Sequence, residues 1–466
     1  MTSQIQSNAN DQQAGEATAD FGLEFSADQL AQLCEDVVQL SRRHGASDAL
    51  VSVVEQTGRS IGVRDAQVTE RTVQSTRRIS VVTWLGHQEG RASSSDISGA
   101  GLDAMVKAAC AGARYAVSDP CSQVPQGNDP ASAIRELNLA HPWHASTEEL
   151  IRIAIEVERA GIDVSPGVLQ PEGVAINSNL SQTWLATTRD FSNGYRESTH
   201  SASAIFLAAN EHGKQRNYWW LMRRNAHDFG ELTQIGREAA RRTISRLGGK
   251  TISSRKCPVV FESTVAGSLL SAFSNAATGT ALYRRMSFLG GKLGTSVAAT
   301  HLSIVEQPFL ADGLRSRPFD SEGMAGSERY VLRGGVLEGY FLSTYSAKRL
   351  DLKPTGNADG PYNLRLESTE TLAGGLASLL NKMRSGLLVT GLMGQNLNPL
   401  TGDYSIGVFG FWVENGEIQS PVEGVTIAGN LWEMLRDVIA VGDDYFDQGG
   451  LVSGSVLLAE MAIGGQ

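Results

Sequence analysis

Short runs that alternate between apolar and polar residues, with glycines between them, recur along most of this 466-residue chain. Examples are ALVSVVEQ (residues 49–56), RRISVVTWLG (77–86) and YSIGVFGFWVENGEIQSPV (404–422). Alternation with period two places apolar side chains on one face of a strand. The chain contains 50 glycines, which suit tight turns between strands. The pattern therefore predicts antiparallel sheets as the main element of the fold.

Helical periodicity and capping residues interrupt these runs at a few places. The predicted helices are 27–44, 101–115, 147–160 and 229–247 in the first half, and 263–275, 369–385 and 430–441 in the second half. Asn415-Gly416 predicts a two-residue hairpin turn of type I′. We therefore predict an α+β fold. It combines an N-terminal mixed α/β domain containing an antiparallel meander with a C-terminal β-rich domain, barrel-like or sandwich-like, with packed helices.

Two changes in composition suggest the domain boundaries. Residues 1–24 include a stretch rich in Gln, Ser, Asn and Ala, without the basic start and apolar run of a secretory signal. This segment is predicted to be a disordered tail. The polar, glycine-rich segment 248–258 separates a domain over 25–247 from a domain over 248–466. No uninterrupted apolar stretch approaches the roughly 18 residues that a membrane-spanning helix needs.

Charge and cysteine usage indicate the compartment and the partners. The 40 basic and 50 acidic side chains give a formal charge of 40 − 50 = −10. A net acidic chain has no general attraction for nucleic acid or for an anionic membrane, so neither is expected as a partner. The cysteines form no C-x-x-C pair, and they are Cys34, Cys110, Cys121 and Cys257. Scattered thiols without a secretory signal predict a reduced, cytoplasmic protein.

A zinc site needs three or four His, Cys, Asp or Glu ligands at suitable spacing. None of the eight histidines is followed by Glu, so the helical H-E-x-x-H pattern is absent. His141 and His144 form an H-x-x-H pair, but Pro142 lies between them and disfavours a helix. We predict that this segment is a loop rather than a metal site.

The other chemical motifs also have simpler interpretations. Cys257 follows two basic residues but precedes a predicted buried strand, so a structural thiol is expected. Segment 289–296 does not match the G-x-x-x-x-G-K-[ST] phosphate loop, and the aromatic and basic segment 215–224 fits strand alternation. The pair Asp443-Asp444 suits a solvated helix end. Taken alone, the sequence predicts no catalytic constellation.

Three stretches, residues 91–120, 284–350 and 386–435, resemble proteins of the PmbA/TldE family. The third, GLLVTGLMGQNLNPLTGDYSIGVFGFWVENGEIQSPVEGVTIAGNLWEML, is the most specific, and a weaker match extends over 25–464. This family supplies the non-zinc subunit of the TldD–TldE metallopeptidase. It is peptidase family U62-like and is also associated with the description modulator of DNA gyrase. The resemblance therefore implies a hydrolase subunit that acts in proteolysis.

The resemblance also implies where a metal would lie in a related chain. TldD-type subunits carry an H-E-x-x-x-H helix that binds zinc, with its Glu as general base. The equivalent helix here is TVAGSLLSAFSNAATG, with Ser271 and Ala276 at the histidine positions and Ala272 at the glutamate position. Ser and Ala cannot replace two imidazoles, and Ala272 cannot accept a proton. We therefore expect no metal, no cofactor and no catalytic residue in this chain, with zinc in a TldD-type partner.

By the same resemblance, the partner is a TldD-type zinc subunit in a heterodimer. Self-pairing of the isolated chain stays open, because an interface that fits a related subunit can often self-pair. The substrate is a small unfolded peptide, admitted to a cavity that excludes folded proteins. An extended peptide can add to a strand edge. Asn398, Asp403 and Ser405 are the substrate-binding candidates, with the alternative that they only form the turn.

Two other functions remain open from the sequence. In the first, the chain is a stand-alone peptidase that uses unrecognised residues. In the second, it is a non-enzymatic peptide-binding or protein-binding modulator of a toxin or its target. Cleavage by the lone chain would favour the first of these. Binding without cleavage, with or without a zinc subunit, would favour the second.

Overall fold

The computed structural model describes residues 22–125, 135–167, 169–211, 213–358, 360–394 and 397–465. Most of the predicted tail, residues 1–24, lies outside these ranges. Within the tail segment, the backbone N–H of Glu24 donates to Glu55 Oε1 at 2.8 Å. The chain therefore contacts the first sheet before the first helix begins.

The first half of the described chain is one sheet with helices. Its helices are α1 Ala27–Arg43, α2 Gly99–Tyr115, α3 Thr147–Ile162 and α4 Thr233–Ile244, with a short 3₁₀ turn at Ala226–Phe229. Its strands are β1 Asp48–Arg64, β2 Gln67–Leu85, β3 Gln88–Ser94, β4 Leu169–Thr187, β5 Ser192–Asn210 and β6 Gly213–Arg223.

These six strands form one antiparallel sheet in the order β3-β2-β1-β4-β5-β6. The neighbours β1, β2 and β3 confirm the predicted meander. Helices α1 and α2 pack with one end of the sheet, around Leu30, Val51 and Val106. Helices α3 and α4 pack with the other end, around Leu150 and Ile235. Strands of 17 to 19 residues are long enough to serve both cores.

The second half contains the remaining elements. Its helices are α5 Ser263–Ala276, α6 Gly279–Tyr283, α7 Thr344–Arg349, α8 Gly375–Met383 and α9 Leu431–Arg436. Its strands are β7 Arg255–Phe261, β8 Leu302–Gln307, β9 Arg329–Arg333, β10 Val336–Leu337, β11 Asn363–Ser368, β12 Thr371–Leu372, β13 Gly386–Met393, β14 Asp403–Glu414, β15 Glu417–Asn430, β16 Val438–Gly442, β17 Phe446–Asp447, β18 Leu451–Ser453 and β19 Val456–Gly464.

Five of these strands close into a barrel in the order β7-β13-β14-β15-β19, because β19 pairs back onto β7. Strand β16 continues from β19 outside the ring. A second sheet has the order β10-β9-β8-β11-β18-β17. A large shared core joins the two sheets through α5 and includes Phe261, Phe273 and Val408. The predicted α+β fold with a barrel-like C-terminal half is confirmed.

The hairpin between β14 and β15 is also as predicted. Asn415 and Gly416 both have positive φ, 54° and 83°, and Glu414 pairs with Glu417. Positive φ at both central residues is what a type I′ turn requires, and Gly and Asn adopt it at the lowest cost. The turn therefore fixes the register of the two longest strands of the barrel.

Two predicted helices of the second half are shorter in the structure. The prediction over 369–385 overlooked the left-handed Gly374, with φ of 89°, so that α8 begins only at Gly375. The prediction over 430–441 was wrong beyond Arg436. The run Val438–Val441 pairs with β19 instead, as part of β16. Burial against the barrel therefore outweighs the helical periodicity read from the sequence.

Strand β2 has an unusual first half. Residues 67–76 are exposed on both faces of the strand, and Val73 is 52% exposed. This stretch pairs with β1, whereas β3 pairs only with residues 79–85 of β2. One edge of the sheet is therefore unpaired along this stretch of the described chain.

Candidate functional site

Helix α5 runs beside the barrel directly after strand β7. The preceding residue, Glu262, accepts hydrogen bonds from Arg242 Nη1 and Nη2 at 2.9 and 2.8 Å, so α4 holds the start of α5 in place. The N–H of Ser263 donates to Ser455 Oγ at 2.9 Å. Both contacts fix the helix relative to the rest of the fold.

One face of α5 is apolar and the other lines a cavity. Leu270, Phe273 and Ala276 are 2%, 0% and 0% exposed and belong to the core. The opposite face presents Ser271 and Asn275, together with the smaller residues Gly267, Ser268 and Ala272. Positions four apart on a helix share a face, which explains why Ser271 and Asn275 meet in the cavity.

Two adjoining cavities lie along this face. The first, of about 630 Å³, is called the helix cavity, and the second, of about 440 Å³, is called the side cavity. The helix cavity is lined by Gly267, Ser268, Ser271, Ala272, Asn275, Arg315, Leu392, Gly394, Leu397, Pro399, Tyr404, Ile406, Gln448 and Leu451. Both cavities share Ser271, Asn275 and Arg315, so that these three side chains mark the boundary between them.

Arg315 carries the only formal charge among the described residues that line the two cavities. Its Nε donates to Gly449 O at 2.8 Å, and no described carboxylate lies within the ion-pair distance of its guanidinium. Burial lowers the pKa of Arg315, Arg317 lowers it further, and Asp447 acts in the opposite direction. Among the described residues, the guanidinium is therefore a half-buried cation without an ion-pair partner.

The loop that carries Arg315 is held from both sides. The backbone N–H of Arg315 donates to Asn363 Oδ1 at 2.9 Å. Arg224, which directly follows β6 in the first half, donates to Gly313 O at 3.3 Å and to Leu314 O at 3.0 Å. Arg224 also pairs with Glu197 at 2.7 Å. These contacts leave little freedom to the main chain at Arg315.

Two buried polar atoms in the helix cavity have no hydrogen-bond partner within the described chain, namely Tyr404 Oη and Gln448 Oε1. Tyr404 is 6% exposed, and burial raises its pKa to about 12. A buried polar group without a partner costs roughly 1–3 kcal/mol. Such groups are uncommon in native structures and often mark a place where a ligand or water binds.

The three predicted substrate-binding residues form the turn before β14 and the start of that strand. The backbone of Asn398 exchanges hydrogen bonds with Asp403 and Gly402, each at 2.8 Å. Hydrogen bonds from Thr401 and Asn430 lower the pKa of Asp403. These three residues are absent from the lining of the helix cavity, and their substrate-binding role stays a prediction.

Strand alternation explains what lines the cavity instead. Residues one position apart on a strand point to opposite faces. Tyr404 and Ile406, which alternate with Asp403 and Ser405, are the residues of β14 that line the cavity. The tyrosine could therefore have been found from the sequence once the inward face was known. Arg315, by contrast, lies in an irregular loop and carries no local sequence signal.

A free strand edge lies next to the helix. Strand β13 pairs with β14 along its length, but with β7 only from Leu387 to Val389. Residues 390–393 therefore have one unpaired edge within the described chain. Thr390 and Leu392 line a third cavity of about 270 Å³, and Leu392 also lines the helix cavity. Strand β14, by contrast, is paired on both sides over 407–413.

The other candidates from the sequence have structural partners. His141 lies in the predicted loop, and its Nε2 is 2.6 Å from Asp312 Oδ1. Cys257 is 9% exposed in β7, and burial raises its pKa. Asp444 accepts from the N–H and the hydroxyl of Ser455 at 3.1 and 2.6 Å. In segment 215–224, Trp219 and Leu221 pack against the core, which confirms the predicted alternation.

The residues around α5 do not fit a zinc ion. Zinc in proteins is held by imidazole, thiolate and carboxylate ligands. The helix contains none of these types from Ser263 to Ala276. Of the three predicted degenerate positions, Ser271 and Ala272 line the cavity, whereas Ala276 is fully buried. Nowhere in the described ranges do three or more His, Cys, Asp or Glu side chains form a group that could hold a metal ion.

Family models match most of the chain. The model described as the PmbA/TldA metallopeptidase C-terminal domain matches residues 254–465, and the model for the central domain of the same proteins matches residues 140–247. The chain is 37% identical to metalloprotease PmbA of Escherichia coli O157:H7 over 91% of this chain and 93% of that protein. It is 34% identical to the PmbA homolog of Haemophilus influenzae over 95% of this chain and 98% of that protein.

Solved structures show the same fold. A protein of Bacteroides thetaiotaomicron described as a candidate modulator of DNA gyrase superposes with a TM-score of 0.88 at 24% identity, covering 94% of this chain and 99% of that one. TldE from Thermococcus kodakarensis superposes with a TM-score of 0.78 at 16% identity, covering 93% and 100%. No helix of the described residues has the length and apolar character needed to cross a membrane. By its sequence relatives and its domain models, the chain belongs to the PmbA/TldE group of the PmbA/TldD metallopeptidase family.

Proposed function

We propose that this chain is the non-zinc subunit of a cytoplasmic, two-component TldD/TldE-type metallopeptidase. It supports a zinc-bearing partner in the degradation or maturation of small unfolded peptides. One observation carries the proposal: the cavity-facing side of α5 offers Ser271, Ala272 and Asn275, none of which is an imidazole, a thiolate or a carboxylate. The relatives are named metalloproteases, so the metal belongs in another chain.

The charge of the cavity supports the same assignment. A divalent cation placed in the helix cavity would be repelled by the guanidinium of Arg315, and no lining carboxylate would compensate. If this chain differed from a zinc-binding subunit only by lacking the two motif histidines, the cavity would be neutral. The additional cation makes the site suited to an anion rather than to a divalent cation.

The free edge of β13 supports a role in handling peptides. An extended peptide can add to residues 390–393 through main-chain hydrogen bonds, which place little demand on its sequence. The edge lies between the third cavity and the helix cavity, which share Leu392. A peptide bound at this edge would therefore reach the residues that face α5.

The proposal is tested by mixing the purified chain with a TldD-type subunit that carries H-E-x-x-x-H. We expect the two chains to elute together, with zinc measured only in fractions that contain the partner. We also expect cleavage of an unfolded peptide by the mixture and not by this chain alone. As a matched control, the same mixture is assayed with the partner's motif glutamate replaced by glutamine.

Three results would separate the alternatives. Stoichiometric zinc in the isolated chain, with cleavage that a chelator stops, would overturn the proposal. Cleavage by the isolated chain without zinc would favour a stand-alone peptidase. Peptide binding without cleavage in every mixture would favour a non-enzymatic modulator.

A further inference from the structure

We propose that the helix cavity binds the carboxylate of a peptide, with the guanidinium of Arg315 as its ionic partner and Tyr404 as a hydrogen-bond donor. This inference rests on the proposed role in peptide handling and adds the chemical class of the group recognised. Its starting point is a half-buried cation without a counterion in a cavity that contains no acidic side chain within the described chain.

The guanidinium has free capacity for an anion. Of the five N–H donors of arginine, one is used by the bond from Nε to Gly449 O at 2.8 Å. The acidic residue that raises the pKa of Arg315 is Asp447, whose Oδ1 accepts from the N–H of Gly450 at 2.6 Å. The remaining donors suit the fork of a carboxylate, because an arginine can pair with both of its oxygens.

A second and independent observation also points to a ligand. Tyr404 Oη is buried, lines the same cavity and has no partner in the described chain. Gln448 Oε1 is a second unpartnered polar atom there. A bound peptide terminus offers both missing partners: a carboxylate accepts from the tyrosine hydroxyl, and a peptide N–H donates to the glutamine oxygen.

The surroundings favour a carboxylate at the end of an extended chain. The unpaired edge at residues 390–393 of β13 leads to Gly394, which lines the helix cavity. Main-chain hydrogen bonds along the edge would hold the peptide, and Arg315 would recognise its charged group. The loop that holds Arg315 is fixed by Arg224 and Asn363, so the cation is positioned in advance.

The experiment measures binding of fluorescein-labelled hexapeptides to the full-length chain by fluorescence anisotropy. One peptide has a free C-terminal carboxylate, a second has a C-terminal amide, and a third has the amide and one aspartate side chain. We expect the free carboxylate to bind at least about tenfold more tightly than the plain amide, as a charge-assisted hydrogen bond requires. The aspartate peptide distinguishes the two sources: tight binding shows that a side-chain carboxylate also suffices, and weak binding restricts recognition to the terminus.

Variants assign the effect to the site. Arg315→Gln is expected to remove the difference between the carboxylate and amide peptides, whereas Arg315→Lys should retain part of it. Tyr404→Phe should weaken binding of the carboxylate peptide severalfold. The matched control is Arg365→Gln, because Arg365 is an exposed arginine that stacks on Tyr445 at 4.5 Å and does not line the helix cavity. Thermal unfolding of each variant checks that it folds.

Equal affinity of the wild-type chain for all three peptides would overturn the inference, and this comparison needs no variant. A carboxylate preference that survives Arg315→Gln in a folded protein would overturn the assignment to this residue. Binding is measured on the isolated chain, whereas the proposed function is tested by cleavage with a zinc-bearing partner. Failure of one test is therefore distinguishable from failure of the other.

Discussion

Arg242, on the last turn of α4, donates two hydrogen bonds of 2.9 and 2.8 Å to Glu262, the residue that precedes α5. The pair connects the first half of the chain to the helix of the candidate site. Their side chains are only 17% and 16% exposed. The guanidinium of Arg242 also stacks on the ring of Trp219 at 4.4 Å. Glu262 therefore supplies both a counterion and hydrogen-bond acceptors to a cation that an aromatic ring covers.

Loss of one partner of this pair is expected to destabilise the chain. Replacing Glu262 with glutamine leaves the half-buried guanidinium of Arg242 with only Glu238 as an anionic neighbour. We expect the free energy of unfolding to fall by about 1–3 kcal/mol, less than for a fully buried pair. Urea unfolding measures the change. Glu414→Gln, on the exposed hairpin, is the control, and an equal loss there would contradict the expectation.

The unpartnered hydroxyl of Tyr404 makes a prediction about pH. Burial raises the pKa of Tyr404 from 10.0 to about 12. Between these values the unfolded chain releases the phenolic proton and the folded chain keeps it, so stability falls as the pH rises, by about 1.4 kcal/mol per pH unit. Tyr404→Phe should therefore lose less stability than the wild type between pH 9 and pH 11, as measured by urea unfolding.

At neutral pH the same substitution should have the opposite effects on stability and on binding. Removing an unsatisfied buried hydroxyl is expected to stabilise the chain by about 1 kcal/mol. The carboxylate peptide should bind more weakly to this variant, as argued for the cavity. A variant that is less stable at neutral pH would show that Tyr404 Oη has a partner in the folded chain, and would weaken its role as a vacant donor.

Two glycines of the barrel should differ in their tolerance of alanine. A Cβ at Gly410 in β14 would lie 1.9 Å from the carbonyl oxygen of Leu388, a backbone atom that cannot move without breaking the sheet. A Cβ at Gly391 in β13 would lie 2.4 Å from Arg246 Nη2, the end of a flexible side chain. We expect Gly410→Ala to cost about 2 kcal/mol or more and Gly391→Ala clearly less. Comparison of their melting temperatures tests this order.

The four thiols should react at different rates in the native chain. Cys34, Cys110 and Cys257 are 0%, 2% and 9% exposed, and burial raises the pKa of each, for Cys34 to about 12. Cys121 is the partly exposed thiol. A chromogenic disulfide reagent at neutral pH should therefore show one fast thiol, which Cys121→Ser removes. A fast phase that persists in this variant would place another thiol at the surface.

Local patterns predicted much of the fold. Period-two runs, the start of the first helix at Ala27 and the Asn415-Gly416 turn each depend on neighbouring residues, and the structure confirms all three. Where packing decides, the sequence misled. Residues 438–441 have helical spacing, but in the structure they pair with strand β19 of the barrel. Closure of the barrel itself depends on strands far apart in the chain, which no local pattern contains.

The candidate site also combines features that the sequence shows with features that only the structure shows. The absence of zinc ligands on α5 is a property of residue types and was visible in the sequence. The importance of Arg315 was not visible, because its unpaired state depends on which distant carboxylates approach it. Asn398, Asp403 and Ser405 are predicted from their polarity in a turn, whereas Tyr404 and Ile406, which alternate with Asp403 and Ser405 along β14, line the cavity. Which face of β14 points into the cavity depends on strand alternation and not on polarity.

The exposed first half of β2 has a consequence for solubility. An unpaired strand edge is a template for intermolecular sheets, and native proteins often protect it with charge. Glu70, Arg71 and Arg78 are exposed and supply such charges along residues 67–78. Their like charges repel the same strand of another copy in the parallel, in-register arrangement that fibrils favour. Neutralising them would leave the native core intact and convert this ribbon into a nucleus for aggregation.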